Sequence, residues 1–96
     1  MVAQKQFVLV VYDISNDRRR TRLHNVLLNY GTPVQYSVFE CLLDADGIQR
    51  MKRATRKVIK PKVDRVRTYY LCRGCLAKTE VTSGVEVLSE PEPIVV

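Results

Sequence analysis

The stretch that most constrains this chain is QFVLVVYD, residues 6–13. It is β-branched and aromatic, with apolar residues at both alternating positions, so it reads as a strand buried on both faces. Such a strand belongs in the middle of its sheet, and the rest of the chain must supply its neighbours and its cover. The apolar run inside it, Phe7 to Tyr12, spans six residues. Crossing a bilayer takes roughly 20, and the run is also shorter than the apolar core of an export signal. The chain has three cysteines, an odd count that leaves no complete disulfide set. A cytoplasmic protein with no membrane association is the expectation.

Beyond this strand, helix and strand alternate along the chain. Asp17 is placed to cap a helix from about Arg18 to Tyr30, with Leu23, Val26, Leu27 and Tyr30 along one face and Gly31 as its C′ residue. PVQYSVFECLL, residues 33–43, reads as one strand whose alternation fails after Phe39, so a bulge is expected between Ser37 and Glu40. Asp44 or Asp46 caps a second helix, with Ile48, Met51, Thr55, Val58 and Ile59 inward and Arg50, Lys52, Arg53, Arg56 and Lys57 outward. Lys60-Pro61 stops it. DRVRTYYLC, residues 64–72, is a third strand with a basic and aromatic face, and one of Tyr69 and Tyr70 should point into the core. Two short strands near Lys78 to Thr82 and Val85 to Leu88, separated by Ser83-Gly84, precede the tail EPEPIVV.

Ninety-six residues cannot divide their apolar side chains between two cores. The reading is an α+β chain: a ferredoxin-like two-layer sandwich over residues 1–82, with both helices on one face. Residues 83–96 add a short strand and an acidic, proline-rich tail for dimer or partner docking.

The net charge of +6 is unevenly spread: residues 44–78 hold eleven Lys and Arg against three Asp, whereas residues 79–96 hold four Glu and no base. A field of that sign attracts nucleic acid, although a solvated helix face would show the same counts. Asp13 ends a buried strand, where open sheets place their ligand sites. It could equally accept bonds from the turn amides of Ser15 or Asn16. Arg18, Arg19, Arg20 and Arg22 come next, after one acidic capping residue. Cations at a helix N-terminus cost about 0.3–1 kcal/mol each, a term that bound phosphate reverses. One carboxylate is too few for a tight Mg²⁺ site, but a twofold axis near the ends of the first strands would bring two Asp13 side chains to one metal, which would neutralise a scissile phosphate.

YDISNDRRR (12–20), YG (30–31) and VQYSVFEC (34–41) together resemble the small CRISPR-associated protein of spacer acquisition, the Cas-two family, from about Phe7 through Thr82. The YLC stretch at 70–72 agrees with it. The resemblance implies a βαββαβ homodimer whose Asp13 binds Mg²⁺ and serves as the catalytic residue of an endonuclease acting on RNA or DNA. It implies a second role as the dimeric bridge between copies of the Cas-one integrase on duplex DNA. By motif position Tyr12, Arg20, Arg22, Ser37 and Phe39 match residues lining the family's site, and Arg18 and Arg19 join them as candidate nucleic-acid contacts.

The residues support two functions of different classes: a Mg²⁺-dependent phosphodiesterase, or a catalytically inert scaffold that clamps duplex phosphates with the second helix and third strand. A single-stranded RNA-binding module fits less well, because the sheet lacks the paired aromatic motifs such modules use. Cys72-Arg-Gly-Cys75 with Cys41 and His24 makes a formal Cys₃His set, but without a second close-spaced pair zinc is disfavoured. A thioredoxin-like role is disfavoured too, since no helix is expected to begin at Cys72. His24 reads as a partly buried helix residue with no nucleophile to activate.

Overall fold

The computed structural model describes residues 4–82. In chain order the elements are β1 (Gln6–Asp13), α1 (Asp17–Leu27), β2 (Gly31–Gln35), β3 (Val38–Leu43), α2 (Ala45–Val58), β4 (Arg65–Leu71) and a short α3 (Arg73–Ala77). The strands form one antiparallel sheet in the order β2-β3-β1-β4. One core joins Leu23 and Leu27 of α1 and Ile48, Met51 and Val58 of α2 to Val8, Val10 and Tyr12 of β1 and Phe39 and Cys41 of β3. Both helices therefore cover the same face of the sheet, and the architecture is the ferredoxin-like βαββαβ sandwich.

β1 is central, flanked by β3 and β4. Its expected burial on two faces is met fully on the helix side, where Val8, Val10 and Tyr12 are buried. On the other face Phe7 is buried but Leu9 and Val11 are only half-buried, because the two long helices both lie on the first face. Period-2 alternation places Phe7, Leu9, Val11 and Asp13 of β1, Val38, Glu40 and Leu42 of β3, and Arg65, Arg67, Tyr69 and Leu71 of β4 on this open face.

Local chemistry sets the element ends, with some corrections to the sequence reading. Asn16, not Asp17, caps α1: it is extended, and its side-chain oxygen accepts the Arg19 N–H at 2.9 Å, which leaves Asp17 as the first helical residue. The helix ends in tightened turns, Asn29 N–H to the Val26 carbonyl and Tyr30 N–H to the Leu27 carbonyl, without a glycine C′. Gly31 instead opens β2 opposite Cys41. A Cβ there would lie 2.5 Å from Cys41 Sγ and would collide with the Glu40 carbonyl, so close approach of two strands is what demands glycine.

The single strand expected over 33–43 is two, paired as a hairpin with a register shift between Pro33 and Gln35. Val34 and Tyr36 extend the apolar alternation in sequence, yet both are exposed at the hairpin tip, Tyr36 to 81%. Asp44 caps α2, accepting the Gly47 N–H at 2.7 Å, and Ile48, Met51, Thr55 and Val58 are buried as expected. Tyr69 and Tyr70 are both about half exposed, so neither ring enters the core. Residues 78–82 do not form the expected strand: the amides of Lys78 and Thr79 bond back to the Cys75 and Leu76 carbonyls, which continues the end of α3. The strand expected at Val85 to Leu88, the Ser83-Gly84 turn and the tail lie outside the described residues. Among the described residues no helix is long and apolar enough to cross a membrane.

Candidate functional site

The carboxyl end of β1 sends neighbouring side chains in opposite directions. Tyr12 turns into the helix layer and is buried, whereas Asp13 turns to the open face and is exposed. Among the described residues no backbone amide or basic side chain bonds the Asp13 carboxylate, so the Asx-turn alternative is not formed. Arg65 stands opposite Asp13 in register on β4, so the neighbouring strand puts a basic residue beside the carboxylate's position. Nothing local in the sequence indicates this neighbour, because the pairing joins the two ends of the fold.

The four arginines after Asp13 divide into three groups. Arg18 and Arg22 are exposed. Arg19 forms a two-pronged bridge to Asp64, with Nε to Oδ2 at 2.7 Å and Nη2 to Oδ1 at 3.0 Å. The Asp64 side chain is buried and also accepts the Lys60 N–H at 2.8 Å. The Arg19 guanidinium, helped by that amide, holds the Asp64 carboxyl below the usual carboxylate range. Arg20 donates through Nη1 to the Ile14 carbonyl at 2.9 Å and pairs through Nη2 with Asp17. The expectation that the run as a whole stands ready for phosphate is thus corrected for Arg19, whose fork-shaped donor set is committed to a buried carboxylate. For Arg20 it is reduced to whichever donors its two partners leave.

On the helix side of the same strand end, a pocket of about 250 Å³ is lined by Tyr12, Arg20, Thr21, His24, Gln35 and Tyr36. The Tyr12 hydroxyl donates to the Tyr36 carbonyl at 3.4 Å, and the Tyr12 N–H donates to the Ser37 carbonyl at 3.0 Å. Two contacts therefore dock the β2–β3 turn on β1. Burial raises the Tyr12 phenol above its ordinary value, with Arg20 acting against it. Phe39 lies beneath, with His24 edge-on at 5.2 Å and Tyr12 tilted at 6.4 Å. Phe39 has no exposed surface, so it supports the pocket and does not touch a bound strand, a correction to its placement among contact residues. Sequence reasoning does not assign His24, Gln35 and Tyr36 to this pocket, because the hairpin that assembles it is hidden in an apparently continuous strand.

A second concavity, of about 380 Å³, lies between α1 and α2, with Val26, Tyr30, Ala54 and Val58 as its apolar part and Arg50, Arg53 and Lys57 as its basic part. It belongs to the helix layer, on the other side of the sheet from Asp13. The outward basic face expected for α2 is present.

Among the described residues no three His, Cys, Asp or Glu side chains gather as a metal site. The Cys₃His set is not assembled: Cys41 is buried in the core, where desolvation pushes its thiol up to about 11, and Cys72 and Cys75 are exposed elsewhere. Asp13 alone suits one ligand position of a hard divalent cation, which completes its shell with waters and phosphate oxygens.

Comparison with known proteins adds the lineage. The family profile described as CRISPR associated protein Cas2 matches residues 6–79. A CRISPR-associated endoribonuclease Cas2 of Chloroflexus aurantiacus is 42% identical over 80% of this chain and 83% of its own length. The crystal structure of Streptococcus pyogenes Cas2 superposes with a TM-score of 0.70 at 29% identity, covering 78% of this chain and 96% of that one. A chain of a solved partial Cas6-RT-Cas1–Cas2 complex has the same fold, with a TM-score of 0.74 at 24% identity over 88% of this chain and 99% of that one.

Proposed function

The chain belongs to the CRISPR associated protein Cas2 family, and from that premise we propose that it is a cytoplasmic, Mg²⁺-dependent endonuclease of RNA or DNA that works as a homodimer. The observation that carries the reading is Asp13: an exposed carboxylate with no partner among the described residues, at one end of an open sheet face. That face carries half-buried Leu9, Val11, Val38, Leu42 and Leu71 beside Glu40, Arg65, Arg67 and Tyr69. Apolar area of this kind is stabilised by a second copy, and a twofold axis across it draws two Asp13 side chains together. Asp13 of each protomer would hold Mg²⁺, which when bound would supply positive charge beside the phosphate and a more acidic water. The chain's own part is to keep the Asp13 carboxylate free as an acceptor, to lower the charge cost of approach with Arg65, and to hold flanking phosphates on Arg18, Arg22 and the remaining donors of Arg20. Relatives named as endoribonucleases support this assignment.

A second role has its own observation. The basic groove of α2 lies in the helix layer, so a duplex seated on Arg50, Arg53 and Lys57 need not reach Asp13. We therefore extend the reading to a dimeric DNA-binding bridge that partners the Cas1 integrase during spacer acquisition; a fully inert scaffold is the alternative. Incubating wild type and Asp13→Asn with labelled RNA and duplex DNA, with Mg²⁺ or with chelator, separates the two. Cleavage lost with the carboxylate or the cation while salt-sensitive duplex binding persists supports both roles. Cleavage that survives both treatments removes Asp13 from the chemistry, and no cleavage by wild type leaves the scaffold alone.

A further inference from the structure

The pair Cys72 and Cys75 is used by neither the nuclease nor the scaffold, and the structure corrects the expectation that no helix begins at the first cysteine. Cys72 is the N-cap of α3, and its Sγ accepts the Cys75 N–H at 3.4 Å. Both side chains are exposed, whereas Cys41, the remaining cysteine, is enclosed in the core. The Cys72 sulfur already lies 3.4 Å from the Cys75 backbone nitrogen, and a disulfide needs Cβ atoms about 3.8 Å apart, an approach that small rotations at an exposed first turn can make.

We propose that Cys72 and Cys75 form a redox-active dithiol that closes to an intramolecular disulfide by exchange with a low-molecular-weight disulfide, Cys72 attacking and Cys75 resolving. The Cys72 thiolate attacks one sulfur of the oxidant, whose S–S bond breaks and releases the first thiolate. Cys75 then gives up its proton and attacks the Cys72 sulfur of the mixed disulfide, releasing the second thiolate. Two electrons pass from the cysteine pair to the oxidant, and the protons lost by the pair go to the two thiols formed.

The division of labour comes from the hydrogen bonds. Cys72 receives donors, chiefly the Cys75 backbone N–H, which lower its thiol below the ordinary range, while the neighbouring Cys72 raises Cys75. The pair also lies apart from the nuclease site. It comes directly after Leu71, which pairs with Phe7 at the start of β1, whereas Asp13 pairs with Arg65 at the far end of the same two strands. The dithiol chemistry is therefore independent of the role assigned to Asp13.

The full-length protein is incubated with oxidised glutathione, quenched with acid, and measured by mass and by thiol count under denaturing conditions. Wild type should lose two of its three thiols, keep no glutathione, and react at a rate independent of protein concentration. Cys75→Ser should trap one glutathione on Cys72. Cys72→Ser, which keeps a capping oxygen, should be modified measurably more slowly than Cys75→Ser, since a lower thiol pKa raises the reactive fraction more than it reduces nucleophilicity. A mixed disulfide persisting on wild type, oxidation that yields only chains linked to one another, or equal rates for the two variants would overturn the proposal.

Discussion

Phe39→Ala separates two roles that motif position alone assigns to one residue. The ring has no exposed surface. It sits on β3 between Val10 of β1 and Pro33 of β2 in register, with His24 and Tyr12 packed on it at 5.2 and 6.4 Å. Truncating a fully buried phenylalanine costs about 3–5 kcal/mol, the lost aromatic contacts included. A chain of 96 residues has a total stability of roughly 5–14 kcal/mol at about 0.05–0.15 kcal/mol per residue. The variant should therefore lose a large fraction of its stability, a fall in Tm of at least about 12 °C at 4–8 °C per kcal/mol. Phe39→Leu, which keeps most of the volume, should cost less than about 1.5 kcal/mol. Urea unfolding gives both numbers, and nucleic-acid anisotropy under conditions where each variant is folded gives the affinity per folded molecule. The Leu variant should bind and cleave nearly as wild type, and the Ala variant should lose function in step with its folded fraction. An Ala variant as stable as wild type that has lost binding would mean that the ring faces the ligand and is not packed between β1, β2 and α1.

Asp64 supplies a pH-dependent contribution. Its folded-state pKa is depressed by Arg19 and then by the Lys60 amide, so its stabilisation is present above its unfolded value, about 3.9, and is lost as pH falls through the lower folded value. The gap in urea midpoint between wild type and Asp64→Asn should be large near neutral pH and shrink steadily below about pH 4; a gap that stays constant down to acid would show that the carboxylate is not what Arg19 holds. In the α1–α2 groove, replacing Arg50, Arg53 and Lys57 with alanine removes three cations. If each meets one phosphate, the slope of log affinity for duplex DNA against log salt should become shallower by about 2–3 per chain, at roughly 0.9 for each phosphate contact. Anisotropy titrations across salt concentrations measure it, and an unchanged slope excludes this groove from duplex binding.

The elements are legible in sequence where one short window carries their physics. The apolar run of β1, a cap at Asp44 or Asp46 and the inward and outward faces of α2 depend on residues within a turn or two of one another; the structure bears out the strand and the faces of α2 and selects Asp44 as the cap. The hairpin at 31–43 is not legible, since Val34 and Tyr36 imitate a strand interior and only pairing to β3 reveals them at an exposed tip. Nor is the role of Gly31, which depends on how closely Cys41 approaches it from another strand.

The same division holds at the site. Alternation along β1 is enough to place Asp13 at a strand end on the face opposite Tyr12, because the strand period is a property of the backbone. Which arginines are free is a question about partners distant in the chain. Arg19 is committed because Asp64, 45 residues later, is buried beneath it, and Phe39 is a support because two flanking strands and a helix close around it. Residue type and spacing determine which chemistry is available to this chain; only the packing of distant segments decides which of those groups are used up in holding the fold and which are left to meet a ligand.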